Sequence, residues 1–135
     1  EITEIQIDPV RLVVVELAVF EENPLEELRG QTTSLWLNGA LHNKPASVFT
    51  SSGSMHGGQE STLLTMLPPL FHHGMIILGL TNAKPALSNT KTGGTPYGAT
   101  HVSGPRHDQS LSQDEKGLCE EQGRRLAETA LKLLK

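Results

Sequence analysis

The sequence predicts an α/β domain built around a parallel sheet, and three observations carry that prediction. A short apolar run of β-formers, Ala46–Phe49, empties into a loop of small residues, Thr50–Gly58, and a helical pattern follows at once. Strand, Gly/Ser loop and helix in that order is how α/β proteins hold a ligand at the carboxyl edge of a sheet. Two further apolar runs, Val10–Val15 and Met75–Leu80, have the character of strands covered on both faces. The last segment, Ser112–Lys135, is amphipathic and opens on a capping-box pattern, Ser112 with Glu115 three residues on.

Taken in order, residues 1–20 are extended in character. Ile2, Ile5 and Ile7 precede the turn signal Asp8-Pro9, and Val10–Val15 is β-branched except at Arg11 and Leu12. Glu16 marks the end of that strand, because a carboxylate is costly between two covered faces. Asn23 caps a short helix with Pro24 at its first position, Glu26 and Glu27 in its first turn, and Gly30 closing it. From Gln31 to Pro45 the chain is loop-like, with a turn at Asn38-Gly39 and one large anchor, Trp36. On residue type alone Trp36 is a plug in the core or at an interface, or else a ring lining a pocket for a planar ligand.

Gln59–His73 has apolar residues at 63, 64, 66, 67, 70 and 71, the pattern of a helix facing a sheet. Pro68 and Pro69 each remove a backbone donor and crowd the preceding turn, which predicts a bend or break near Met66–Pro68. Met75–Leu80 is a buried strand entered through Gly74. Thr81–His107 is polar, punctuated by Gly93-Gly94-Thr95-Pro96-Tyr97-Gly98, and reads as one long functional loop. Tyr97 either reaches a ligand or tethers that loop. In Ser112–Lys135, Leu118, Cys119, Leu126, Ala130, Leu133 and Leu134 form an apolar stripe, and the charged residues read as a solvated face.

Composition bounds the function. At 135 residues the chain has room for one domain with a real core. A net charge of −4 argues against a nucleic-acid surface, which needs clustered Lys and Arg. No window approaches ~18 uninterrupted apolar residues, so no membrane span is expected. The single Cys119 cannot form an internal disulfide and suits a reducing cytoplasm. Histidines at 42, 56, 72, 73, 101 and 107 show no metal-ligand spacing, and no metal is expected. His72 and His73, being adjacent, point in different directions and read as surface or hydrogen-bonded residues. Ser54 lies among Gly53, His56 and Gly57, but position 52 is Ser, which breaks the nucleophile-elbow pattern. In the Thr50–Gly58 loop itself, Ser51, Ser52 and Ser54 offer hydroxyls, while Gly53, Gly57 and Gly58 let backbone N–H groups approach a ligand closely.

Four blocks sharpen this reading: SLWLNGAL (34–41), KPASVFTSSGSMHGGQEST (44–62), LFHHGMIILG (70–79) and GGTPYGAT (93–100). In this order, over about Pro24–Lys135, the sequence resembles the WrbA-type NAD(P)H:quinone oxidoreductases, FMN enzymes of the flavodoxin-like superfamily. The resemblance implies a flavodoxin-like parallel sheet with flanking helices. It implies that Ser51, Ser52, Gly53, Ser54, Met55 and His56 wrap the isoalloxazine and ribityl part of FMN, with His72 beside the flavin. Trp36 matches the tryptophan lining the pocket where nicotinamide and quinone bind in turn, contributed in the family tetramer by a neighbouring subunit. The implied reaction is hydride transfer from NAD(P)H to the flavin, then two-electron reduction of a quinone. The flavin carries that chemistry, and no side chain need be a catalytic base. A cytoplasmic homo-oligomer, dimer or tetramer, goes with this reading.

The sequence departs from the family in its first part. Residues 1–30 hold no Ser/Thr/Gly-rich turn of the kind that binds the FMN phosphate at a helix N-terminus. The family's Pro-Thr-Arg-Phe-Gly-Asn loop is also missing, and Val13–Asn23 occupies about its place. The expected fold is therefore one flavodoxin-like domain over residues 1–135 lacking its first strand and helix, family-like over 24–135, with 1–23 an extended segment outside the pattern. With Glu1 in place of Met, this reads as a truncated or incomplete chain. The alternative is a non-enzymatic oligomerisation or interaction protein that has lost FMN binding, with residues 1–20 pairing across subunits.

Overall fold

The strand expected at Ala46–Phe49 forms, but it is longer than its apolar residues and is shared among several neighbours. In the computed structural model, which describes residues 2–7, 10–16, 33–83 and 85–134, the sequence opens with β1 (Ile2–Ile7) and β2 (Val10–Glu16). They pair antiparallel, Ile2 opposite Val15 and Ile7 opposite Val10. The central strand runs as β3 (Pro45–Ala46) and β4 (Val48–Ser52), divided only at Ser47. β2 lies parallel to the start of β4, Val15 against Val48 and Glu16 against Phe49. The end of β4 pairs in parallel with β6 (Thr100–Val102), and β3 pairs in parallel with β5 (Ile76–Ile77). The resulting order is β1-β2-β4-β6 in one sheet and β3-β5 in another. Around them lie α1, described over residues 33–37, α2 (Gln59–His72), α3 (Ala86–Asn89) and α4 (Gln113–Leu133). Short parallel pairs flanked by helices make this a partial flavodoxin-like α/β fold.

Strand geometry explains why both faces are covered. Val48 and Phe49 are consecutive in β4 and so point to opposite faces. Val48 joins a cluster with Leu41, Ala46, Leu63, Met66, Leu70 and Met75, which seats α2. Phe49 packs with Leu80, Ala99, Leu118, Ala86 and Leu87, which seats α3 and α4. At Gly98 a β-carbon would overlap the Val48 carbonyl, so only glycine lets the Thr95–Gly98 turn lie this close to the strand.

Several expectations are corrected, each for a physical reason. Residues 33–37 are helical, not loop, and the turn after them closes with Asn38 N–H donating to the Ser34 carbonyl and Ala40 N–H to Leu35. β4 runs through Thr50, Ser51 and Ser52, so the loop begins at Gly53. These polar residues are held by ladder bonds to Thr100–Val102, fifty positions away and invisible to a local pattern. Thr81–His107 is not one loop, since it contains α3, the Thr95–Gly98 turn and β6. Helix α2 continues through Pro68 and Pro69 without a break. The carbonyls that lose donors to these prolines belong to Leu64 and Thr65, which are exposed and open to water, while Leu63, Met66, Pro69 and Leu70 hold the helix down. Of Met75–Leu80 only Ile76–Ile77 forms a ladder, although Leu78 N–H reaches the Ala46 carbonyl at 2.8 Å.

In α4 the capping box forms as expected. Leu118, Leu126 and Ala130 are buried, whereas Cys119, Leu133 and Leu134 are exposed. Its charged residues are not all solvated, because Glu115 and Glu121 are buried. The expected helix at Asn23–Gly30 lies outside the described residues. Since Leu63 is fully enclosed between α2 and the sheet, Leu63→Ala is expected to lower unfolding free energy by about 2–5 kcal/mol in urea titrations. Leu64→Ala, exposed on the same helix, should stay within about 0.5 kcal/mol of the parent.

Candidate functional site

The loop after β4 and the turn after β6, which runs from Ser103 to His107, leave the carboxyl ends of two parallel strands. The first runs from Gly53 to Gly58, with Ser54, Met55, His56, Gly57 and Gly58 exposed. Its shape is set from within: Ser52 Oγ donates to the Ser54 carbonyl at 2.7 Å, and Gly57 N–H closes back on the same carbonyl at 3.1 Å. Gln59, buried at the start of α2, donates from Nε2 to Ser52 Oγ at 2.8 Å and to the His101 carbonyl at 3.0 Å. The Ser52 hydroxyl is thus engaged in holding the loop. Among the described residues, the N–H groups of Gly53, Ser54, Met55 and His56 have no acceptor. A row of free amide donors in an exposed Gly/Ser loop suits a flat ligand bearing carbonyl and ring-nitrogen acceptors.

Beneath that edge lies a buried polar scaffold that sequence reasoning missed. Thr100 Oγ1 donates to Gln59 Oε1 at 2.8 Å and accepts Gly94 N–H at 2.6 Å. Glu115, 1% exposed, accepts Gly93 and Val102 N–H on Oε1, each at 2.9 Å. On Oε2 it meets Ser112 N–H at 2.7 Å and His101 Nδ1 at 3.2 Å. Burial works to raise this carboxyl, but the backbone donors of Ser112, Val102 and Gly93 and the His101 ring outweigh it and hold it at about 2. Gln122 joins Ala99 N–H, accepted at 2.5 Å, to the Val48 carbonyl, reached at 2.8 Å. The capping box announced one role of Glu115. Its bonds to positions 93 and 102 carried no local signal.

Trp36 and His72 form a second assembly. Their rings stack with centroids 4.8 Å apart and planes 19° from parallel. Both are exposed, Trp36 by 45%, beside the exposed Phe71. His73 turns away as expected, edge-on to His72 and buried; burial, then the neighbouring His72, pushes its imidazole below the ordinary range. His72 ends α2 and the Gly53 loop precedes it. At 1.5 Å per residue, a helix of this length separates them by about 20 Å. The structure therefore brings Trp36 to His72 and gathers Ser51–His56, but the two groups stand at opposite ends of one helix. Tyr97 is exposed, its N–H donating to Thr95 Oγ1 at 3.1 Å, a role in shaping its own turn.

No family model matches the chain. A protein of Syntrophobacter fumaroxidans (strain DSM 10017 / MPOB) named NAD(P)H dehydrogenase (quinone) is 46% identical over 104 residues, covering 76% of this chain and 51% of that protein. One of Rhodopseudomonas palustris (strain BisB18) with the same name is 42% identical over 105 residues, covering 76% and 53%. The chain spans about half the length of the curated relatives it matches. The resemblance seen in the four sequence blocks is a relationship to these proteins.

The buried carboxylate has a consequence for acid stability. A carboxyl held near 2 when folded and at 4.5 when free stabilises the fold above 4.5, and the contribution fades as pH falls from about 4.5 towards 2. Its size is on the order of 3 kcal/mol. Glu115→Gln should flatten that dependence, so urea midpoints at pH 7 and pH 3 are expected to differ more for the parent than for the variant.

Proposed function

We propose that this chain is the flavin-ring-binding portion of an FMN-dependent NAD(P)H:quinone oxidoreductase of the WrbA type. The observation that carries the reading is the run of free amide donors at Gly53–His56, at the carboxyl edge of β4 and β6. It lies in a chain related to proteins named for that activity.

The residues present fit the ring of FMN. The amides of residues 53–56 would hold the carbonyl and nitrogen groups of the ring, with the exposed Ser51 and Ser54 hydroxyls as further partners. Donors placed where charge develops favour the reduced ring, and here the strand ends that carry the loop are held in advance, β4 by Gln59 at Ser52 and β6 by Glu115 at Val102. When bound, FMN supplies the chemistry: it accepts a hydride from NAD(P)H and passes two electrons to a quinone. The chain itself binds, orients and keeps the two substrates over the ring in turn. No turn in the sequence matches the FMN phosphate, so ring recognition is the part of the cofactor assigned here.

Trp36 and His72 enter through a second copy. They stand about 20 Å from their own loop along α2, so a pocket that uses both groups takes the loop from one protomer and the stacked pair from another. Trp36 then covers the planar substrate with its ring face. A homo-oligomer in the cytoplasm is the corresponding assembly. Among the described residues no helix is long and apolar enough to cross a membrane.

The test is titration of FMN into the purified chain, followed by absorbance in the flavin bands, then NADPH–quinone turnover. Saturable uptake with turnover is the expected result, and no uptake at high FMN overturns it in favour of a cofactor-free interaction protein. Trp36→Ala should raise quinone KM about two- to tenfold while leaving FMN affinity within about twofold. Equal quinone kinetics in parent and variant would remove Trp36 from the pocket.

A further inference from the structure

The turn after β6 carries a histidine in a backbone conformation that side chains rarely adopt. His107 has φ +55°, in the left-handed region, where the β-carbon crowds the backbone. Its N–H donates to the Gly104 carbonyl at 3.0 Å and closes the turn. In this conformation its Nδ1 lies 2.9 Å from Ser103 Oγ. Its Cε1 lies 3.8 Å from the point a β-carbon on Gly53 would occupy, and the Gly104 carbonyl oxygen lies 3.4 Å from that point. The imidazole edge and a backbone carbonyl thus wall one side of Gly53.

We propose that His107 is a positioning residue that acts through Ser103 and the Ser52–Gly53 peptide to strengthen the Gly53 N–H as a donor to the bound ring. This rests on the assignment of the Gly53 loop to the flavin ring made above. The Ser52 carbonyl takes two bonds from Ser103, the N–H at 2.8 Å and the hydroxyl at 3.1 Å. A hydroxyl has one proton. With that proton on Ser52, the Ser103 oxygen turns a lone pair to His107, and Nδ1 of the imidazole is the donor. The bonds run in one sense: His107 Nδ1–H to Ser103, Ser103 Oγ–H to the Ser52 carbonyl.

That carbonyl and the Gly53 N–H belong to a single peptide group. Drawing electron density onto the oxygen leaves the N–H a better donor, since linked hydrogen bonds reinforce one another. Among the described residues the Gly53 N–H has no acceptor, so the polarisation is directed to whatever occupies the loop. A hydrolytic role for the pair does not fit, because Ser103 is buried and its hydroxyl is engaged with the Ser52 carbonyl. The strained backbone at His107 is the cost of placing a donor at this point, and strain of this kind concentrates where a side chain has a specific task.

Three variants test the relay. His107→Gly removes the ring and suits the backbone angle, His107→Asn returns an N–H donor near the place of Nδ1, and Ser103→Ala removes the middle hydroxyl. In amide-resolved NMR of the FMN-free chain, the Gly53 proton should move upfield in H107G and S103A and stay near the parent position in H107N. FMN affinity, read by quenching of flavin fluorescence, should weaken about two- to tenfold in H107G and S103A and be rescued by H107N. A Gly53 proton unmoved in both deletions overturns the relay, as does unchanged FMN affinity in a chain that binds FMN. H107N behaving like H107G overturns the assignment of the donor. If the parent chain takes up no FMN, the flavin reading falls and with it the ring-directed role, while the Gly53 shift still separates a real relay from none.

Discussion

A carboxylate removed from water is costly unless partners surround it. Glu115 meets that condition with three backbone N–H groups and an imidazole nitrogen, contributed by α4 itself, by the Gly93 turn and by β6. The four donors come from three separate places in the chain, so the carboxylate is fully satisfied only when all three are in place. That requirement ties the N-terminus of the last helix to the end of β6 and to the glycine turn before it. Glu115 thereby holds the carboxyl end of β6 against α4 and the Gly93 turn.

The rest of the edge is built the same way, by side-chain amides that complete backbone ladders. Gln59 bridges the ends of β4 and β6, and Gln122 bridges β4 to the residue before β6. Such groups are worth little on the surface and much more when desolvated, since an unmade bond there leaves a polar atom without water. The loop at Gly53 can therefore be small, glycine-rich and exposed without being shapeless. The Ser54 carbonyl and the Gly57 N–H are occupied in holding its form, and the amides of residues 53–56 are left over. An ordered loop with unused donors is preorganised for a ligand, because little conformational freedom is lost on binding.

The stacked pair at the other end of α2 obeys a different logic. Trp36 and His72 stay exposed as a stacked pair, in contrast to Val48 or Leu63, which are enclosed. An aromatic stack with open faces is ready for a further ring or for a neighbouring molecule. Helix length keeps it from its own loop, so the two groups do not share one pocket within a single copy.

By itself the sequence determined whatever depends on near neighbours. The Ala46–Phe49 run, the Gly/Ser loop, helix α2, the Ser112–Glu115 capping box and the separation of His72 from His73 all follow from spacing, residue volume or capping chemistry over a few positions. The tertiary structure alone decided that polar Thr50–Ser52 continue a strand, that Thr100–Val102 is its partner, and that α2 runs through two prolines. It also decided that Glu115 belongs to three elements at once and that the turn holding His107 lies beside Gly53. The physical reason is common to these cases. A backbone donor or a buried carboxylate is stable only with a partner, and here the partners lie tens of residues away, where no local periodicity records them.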